Sequence, residues 1–323
     1  MQWLQLVGGG LLLYLGGQWL VGGSSALALA LRVPQLIVGL TVVAYGTSMP
    51  EMIVGVQAAV AGYPDVALGN VIGSNIANVG LILGIAALIA PARVDGSLRR
   101  RELKVLLLSA AVVPLLLLDG AVSRAEAALL LLAGAGYTAW IVRSARAAAE
   151  LAGAAVDTAA EEAAADAAGA PTPIGAPRAA LTALLGLGVL LFGGQLFVEG
   201  AVATAHLLGM SERLVGLTIV AVGTSLPELV TAIAAARQGH SDLAVGNVIG
   251  SNIFNVFVCL GAAGLAGSVA APLASLAVDV AAMVVMTLVA AVFIRTARTI
   301  VRVEGAFALG LYGSFVAMTV ARG

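Results

Sequence analysis

Val38-Gly-Leu-Thr-Val-Val-Ala-Tyr-Gly-Thr-Ser-Met-Pro-Glu51 decides how this chain is read, because the chain contains it twice. The second copy is Val215-Gly-Leu-Thr-Ile-Val-Ala-Val-Gly-Thr-Ser-Leu-Pro-Glu228. Each copy is followed at the same distance by another matching stretch, Gly69-Asn-Val-Ile-Gly-Ser-Asn-Ile-Ala-Asn78 and Gly246-Asn-Val-Ile-Gly-Ser-Asn-Ile-Phe-Asn255. The offset is 177 in both, from Glu51 to Glu228 and from Asn78 to Asn255. A carboxylate beside a proline, inside an apolar run and present twice, marks a site rather than a packing accident.

The surroundings of that motif are those of a bilayer. Hydrophobic residues make up 61% of 323 positions and charged residues 10%, with a mean hydropathy of +1.06. A soluble domain has nearly half apolar and about 25% charged residues. The chain reads as a polytopic all-α membrane protein, its lipid partner implied by composition. A span needs roughly 20 apolar residues. Cutting at charges, prolines and polar clusters gives ten segments: 3–30, 36–61, 66–90, 104–118, 124–142, 179–204, 213–236, 242–267, 271–294 and 302–321. The first has no basic start or cleavage site and reads as a retained helix. The single cysteine, Cys259, cannot close an internal disulfide, and no Cys/His spacing suggests zinc.

Charge gives the orientation. Of the sixteen Lys and Arg, thirteen fall in the connections after segments 1, 3, 5, 7 and 9, and three on the other side. The positive-inside rule then puts both termini outside and the Arg-rich loops in the cytoplasm. Residues 1–142 form a first five-helix repeat carrying the motif region 38–91. Residues 143–178 form a cytoplasmic linker, helical where Ala-rich and irregular near its prolines. Residues 179–323 form a second repeat carrying the motif region 215–268. Five segments per half is an odd number, so segments 2 and 7 cross in opposite directions. Inverted repeats with interrupted helices are the signature of secondary transporters with a site near the midplane.

The motif has the chemistry of a cation site. Pro50 lacks an N–H, so the Gly46 carbonyl loses its helical donor and the helix should break between the two. Carbonyls freed at membrane depth need another partner, and a cation is one. Thr47 and Ser48 share a face with Glu51, as Thr224 and Ser225 do with Glu228. Ser74 and Asn78 lie four apart on one face of the next helix, as do Ser251 and Asn255. The pooled donors are all oxygen, which suits hard cations such as Ca²⁺ or Na⁺. An intramembrane Glu is functional by default. For Thr47, Thr224, Ser74 and Ser251 a bond back to their own helix is the alternative. Asn70, Asn75, Asn247 and Asn252 read as polar glue between helices, with Asn70 and Asn247 in reach of the site. Gly69, Gly73, Gly246 and Gly250 would permit close helix approach.

These paired stretches resemble the alpha-repeats of the cation/Ca²⁺ exchanger superfamily, and within it the prokaryotic Na⁺/Ca²⁺ antiporters. The resemblance implies a ten-helix fold of two inverted repeats, in which segments 2, 3, 7 and 8 form the core and segments 1 and 6 slide against it. It implies Ca²⁺ ligation by Glu51 and Glu228 with carbonyls of Thr47 and Thr224. It implies Na⁺ sites drawing on those carboxylates, on Ser48, Ser74, Ser225 and Ser251, and on the carbonyls of Ala44 and Ala221, with Asn78 and Asn255 lining the centre. Sodium-coupled members commonly carry Asp where this chain has Asn255. The expected function is alternating-access exchange of Ca²⁺ for Na⁺ in a prokaryotic plasma (inner) membrane. A Ca²⁺/H⁺ antiporter is the alternative, and a cation channel is a more distant one. Nothing in the sequence suggests an enzyme, a cofactor or a nucleic-acid partner.

Overall fold

The computed structural model describes residues 2–94, 96, 98–163, 175–208, 223–270, 272–296 and 299–322. They form helices α1 (Gln2–Ala30), α2 (Gln35–Thr47), α3 (Met49–Val60), α4 (Pro64–Ile89), α5 (Leu103–Leu116), α6 (Arg124–Ala163), α7 (Ala176–Leu207), α8 (Leu226–Arg237), α9 (Ser241–Ala266), α10 (Leu273–Thr296) and α11 (Arg302–Arg322). Among the described residues seven helices are long and apolar enough to cross a bilayer, or eight when α2 and α3 count as one bent span. The short fourth segment is the 14-residue α5, with Pro114 inside it. Residues 209–222, which open the seventh segment, lie outside the described residues, and α8 is its second part.

The distribution of polarity is that of a protein solvated by lipid. Leu4 (78% exposed), Leu184 (61%) and Val303 (78%) face outward, whereas Glu51, Glu228, Asn247 and Asn255 are at most 1% exposed. The centre is built on α4 and α9. Every residue of α9 from Leu243 to Phe254 is buried, as expected of a helix surrounded by others. Small residues bring its neighbours in: a Cβ on Gly246 would sit 2.7 Å from the Leu36 carbonyl oxygen, and one on Gly250 2.7 Å from that of Leu40. The α2 backbone therefore lies directly against α9.

A second close contact joins α1 to α7. Gly9, Gly16 and Gly23 recur at seven-residue spacing, and Gly186, Gly193 and Gly200 repeat them 177 positions later. The two rows face each other in antiparallel order, Gly9 against Gly193 and Phe197, Gly16 against Gly186 and Leu190, Gly23 against Ala183. A Cβ on Gly16 would lie 2.4 Å from the Leu190 nitrogen, so any larger residue would force the helices apart.

One departure from regular helix was not expected from sequence. Turns of π-helix occupy Asn78–Leu83 in α4 and Asn255–Leu260 in α9, again 177 apart, and a third lies at Gly39–Val43 in α2. The apolar span of the fifth segment ends at Ala145. The Ala-rich part of the linker is helical as expected, continuing α6 without a break to Ala163, where Ala, Glu and Arg favour it.

Among the described residues four two-residue strands complete the fold: β1 (Ala92–Arg93), β2 (Ala121–Val122), β3 (Val269–Ala270) and β4 (Thr299–Ile300). β1 pairs with β4 and β2 with β3, both antiparallel. Each ladder ties one half of the sequence to the other.

Candidate cation site

The first motif helix breaks one residue before its Met-Pro pair, and the second copy has the same serine turn before its Leu-Pro pair. Ser48 (φ −86°, ψ 9°) separates α2 from α3 with a 44° bend, and Ser225 (φ −90°, ψ 6°) precedes α8 in the same way. Pro50 and Pro227 then stand in the first turn of the new helix, where their missing N–H costs nothing. Glu51 and Glu228 follow in that first turn, at the positive end of the helix dipole. The expected break between Gly46 and Pro50 is thus present at Ser48, and its twin has the same backbone angles within 4°.

The breaks bring the two copies together. Ser48 Oγ donates to Glu228 Oε1 at 2.8 Å, and Ser225 Oγ donates to Glu51 Oε1 at 3.1 Å. Each glutamate is held by the serine of the other copy. The second oxygen of each carboxylate, Glu51 Oε2 and Glu228 Oε2, is buried without a hydrogen-bond partner among the described residues. Leaving a buried charged oxygen unpaired is costly, and a cation or a proton on these atoms removes that cost.

The asparagines cross in the same manner. Asn78 Nδ2 donates to Asn252 Oδ1 at 3.0 Å, and Asn255 Nδ2 donates to Asn75 Oδ1 at 3.1 Å. Asn78 Oδ1 and Ser251 Oγ are buried and without partners among the described residues. Ser74 is 5% exposed, one turn before Asn78. Thr47 bonds back to its own helix, donating to the Val43 carbonyl at 3.1 Å, and lies 3.2 Å from Asn247 Oδ1. Thr224 is half-buried at the turn before Ser225. The Ala44 carbonyl already accepts the Ser48 N–H at 3.1 Å, and Ala221 lies outside the described residues. Asn70 reaches the site from the side, donating to the Glu51 carbonyl at 2.8 Å.

No cluster of three His, Cys, Asp or Glu side chains occurs among the described residues. The donors are two carboxylates supplemented by hydroxyl, amide and carbonyl oxygens, a set suited to hard cations. One contact was not foreseen: the Cys259 thiol lies 3.5 Å from Asn255 Oδ1 and 3.9 Å from the Ser48 carbonyl oxygen. Its place one turn after Asn255 was the available signal. Other acids lie away from the two glutamates. Glu199 accepts from Gln5 and Gln195, and Asp65 and Asp242 stand in the first turns of α4 and α9.

Comparison with known proteins adds a family. The pattern of the sodium/calcium exchanger protein family matches residues 1–143 and 178–321. Inner membrane protein YrbG of Escherichia coli is 38% identical over 197 residues, 61% of this chain and 59% of YrbG, so the match spans less than two thirds of that relative. Sodium/calcium exchanger MaX1 of Methanosarcina acetivorans is 34% identical over 286 residues, 81% of this chain and 82% of MaX1. The solved structure of the sodium-calcium exchanger NCX_Mj superposes with a TM-score of 0.82 at 32% identity, covering 98% of this chain and 99% of that one. With most of its length matched and a polar centre wrapped in apolar helices, this chain is an integral membrane protein belonging to the sodium/calcium exchanger family.

Proposed function

We propose that the chain is a secondary active antiporter that exchanges Ca²⁺ for Na⁺ by alternating access at one site between Glu51 and Glu228. The observation that carries this reading is the reciprocal pair of serine–glutamate bonds, which leaves two buried carboxylate oxygens without a partner among the described residues. Two carboxylates neutralise one Ca²⁺. Two Na⁺ would balance the same pair, and three would leave one positive charge in excess. Calcium and sodium therefore compete for the same charge, and exclusive occupancy couples their fluxes. Thr47, Thr224, Ser48, Ser225, Ser74, Ser251 and the carbonyls of Ala44 and Ala221 supply further oxygens, with Asn78 and Asn255 lining the centre.

The architecture behind this reading is ten transmembrane helices in two inverted five-helix repeats, 1–142 and 179–323, joined by a cytoplasmic linker over 143–178. Both termini face outward across a prokaryotic plasma (inner) membrane. Opposite directions of the motif helices explain why each serine meets the glutamate of the other copy.

In proteoliposomes, an outward Na⁺ gradient is expected to drive Ca²⁺ uptake, and Glu51→Gln or Glu228→Gln to abolish it. Varying Na⁺ and H⁺ separately tests the coupling ion. Uptake driven by a pH gradient alone would contradict sodium coupling and favour Ca²⁺/H⁺ exchange, the reading that Asn255 supports by leaving the site with only two carboxylates. Flux without any counter-ion would contradict antiport.

A further inference from the structure

The two central asparagines are repeat twins, yet their surroundings differ. Asn255 sits in a directional chain of hydrogen bonds. The Cys259 thiol donates to Asn255 Oδ1 at 3.5 Å, Asn255 Nδ2 donates to Asn75 Oδ1 at 3.1 Å, and Asn75 Nδ2 donates to Met283 Sδ at 3.8 Å. A thioether sulfur can only accept, so the far end of the chain fixes the sense of every amide in it. The chain runs from α9 through α4 to α10, and Asn75, Asn255, Cys259 and Met283 are all buried.

The first copy has the middle bond without the ends. Asn78 Nδ2 donates to Asn252 Oδ1, but the positions 177 before Cys259 and Met283 are Ile82 and Leu106. Neither can donate or accept. Asn78 Oδ1 and Asn252 Nδ2 accordingly have no hydrogen-bond partner among the described residues, although Asn78 and Asn252 are each 1% exposed.

We propose that Cys259 and Met283 are positioning residues that lock Asn255, so that of the two central asparagines only Asn78 offers its carbonyl oxygen to a transported cation. The inference rests on the exchange reading above. Asn255 becomes a fixed wall of the site. Asn78, tied only through its Nδ2 to an Asn252 that is itself not held at its far end, keeps its carbonyl oxygen available and can shift with Asn252 to follow the ion. Two ions of different size and charge then meet one adaptable amide and one rigid one.

The test compares Asn78→Ala with Asn255→Ala in the native background and in a Cys259→Ile, Met283→Leu background, which gives the second copy the apolar ends of the first. Two quantities are read for each protein: the Ca²⁺ half-saturation of gradient-driven uptake, and the Ca²⁺-induced rise in melting temperature in detergent, which needs no transport. Asn78→Ala is expected to raise half-saturation about tenfold, the worth of one strong polar contact to an ion, and Asn255→Ala less than about twofold on the same scale. In the unlocked background Asn255→Ala is expected to approach the effect of Asn78→Ala. Equal effects in the native background, or an Asn255 effect unmoved by unlocking, would overturn the proposal. If Asn255→Ala does not fold, Asn255→Thr takes its place in the same comparison. A purely structural role for Cys259 and Met283 would lower stability without altering what Asn255 is worth. Loss of exchange in the wild type with Ca²⁺ stabilisation intact counts against the antiport reading alone, and absence of both responses sinks the two together.

Discussion

Ser48 and Ser225 each serve both the backbone and the site. Their torsion angles end one helix and let the next begin at a proline, and their hydroxyls reach the glutamate of the opposite copy. A hydrogen bond to a charged group contributes about 1.5 to 3 kcal/mol. Ser48→Ala is therefore expected to raise the Ca²⁺ half-saturation at least about tenfold, with Ser225→Ala similar, as read from Ca²⁺-dependent uptake. Unchanged affinity in both would mean that the crossed bonds do not set the carboxylates. At this scale the doubled motif made the paired residues legible, because each candidate had a twin to corroborate it. That same reliance on pairs hid Cys259 and Met283, whose counterparts are Ile82 and Leu106. Side-chain direction was equally hidden: whether Thr47 turns to the site or bonds back to Val43 depends on a rotamer, which spacing does not specify.

The helix breaks were readable because proline has a local mechanism that operates regardless of context. The π-turns at Asn78–Leu83 and Asn255–Leu260 were not. One extra residue per turn leaves no trace in the periodicity of a helix that is buried on all sides, and only the tertiary site gives the distortion a reason. The helix in the Ala-rich stretch to Ala163 was legible from composition, but its unbroken continuity with the fifth segment was not, since hydropathy marks where lipid ends rather than where a helix ends. The α1–α7 contact shows how far glycine spacing can be taken. Gly16→Leu should destabilise the protein by about 1 to 3 kcal/mol through overpacking. Gly22→Leu on the same helix, where an added Cβ meets nothing within 4 Å, should be tolerated. Thermal unfolding in detergent distinguishes them, and equal tolerance would show that the α1–α7 backbone contact contributes little.

Across the whole molecule, the offset of 177 recurs at every level. It relates the glutamates, the serine breaks, the π-turns, the glycine rows of α1 and α7, and strands β1 and β3. The two ladders, β1 with β4 and β2 with β3, each join first half to second, and the crossed side-chain bonds do the same at the centre. The polar centre thus draws its contacts from both halves of the chain. Under the proposed function Ca²⁺ and Na⁺ share the Glu51/Glu228 site, and Ca²⁺ binding to the purified protein, measured by calorimetry at rising Na⁺ concentration, tests this. Na⁺ is expected to displace Ca²⁺ with a Hill coefficient above one, and Glu51→Gln or Glu228→Gln to remove the binding. Ca²⁺ binding that is indifferent to Na⁺, or that survives in both glutamine variants, would contradict it.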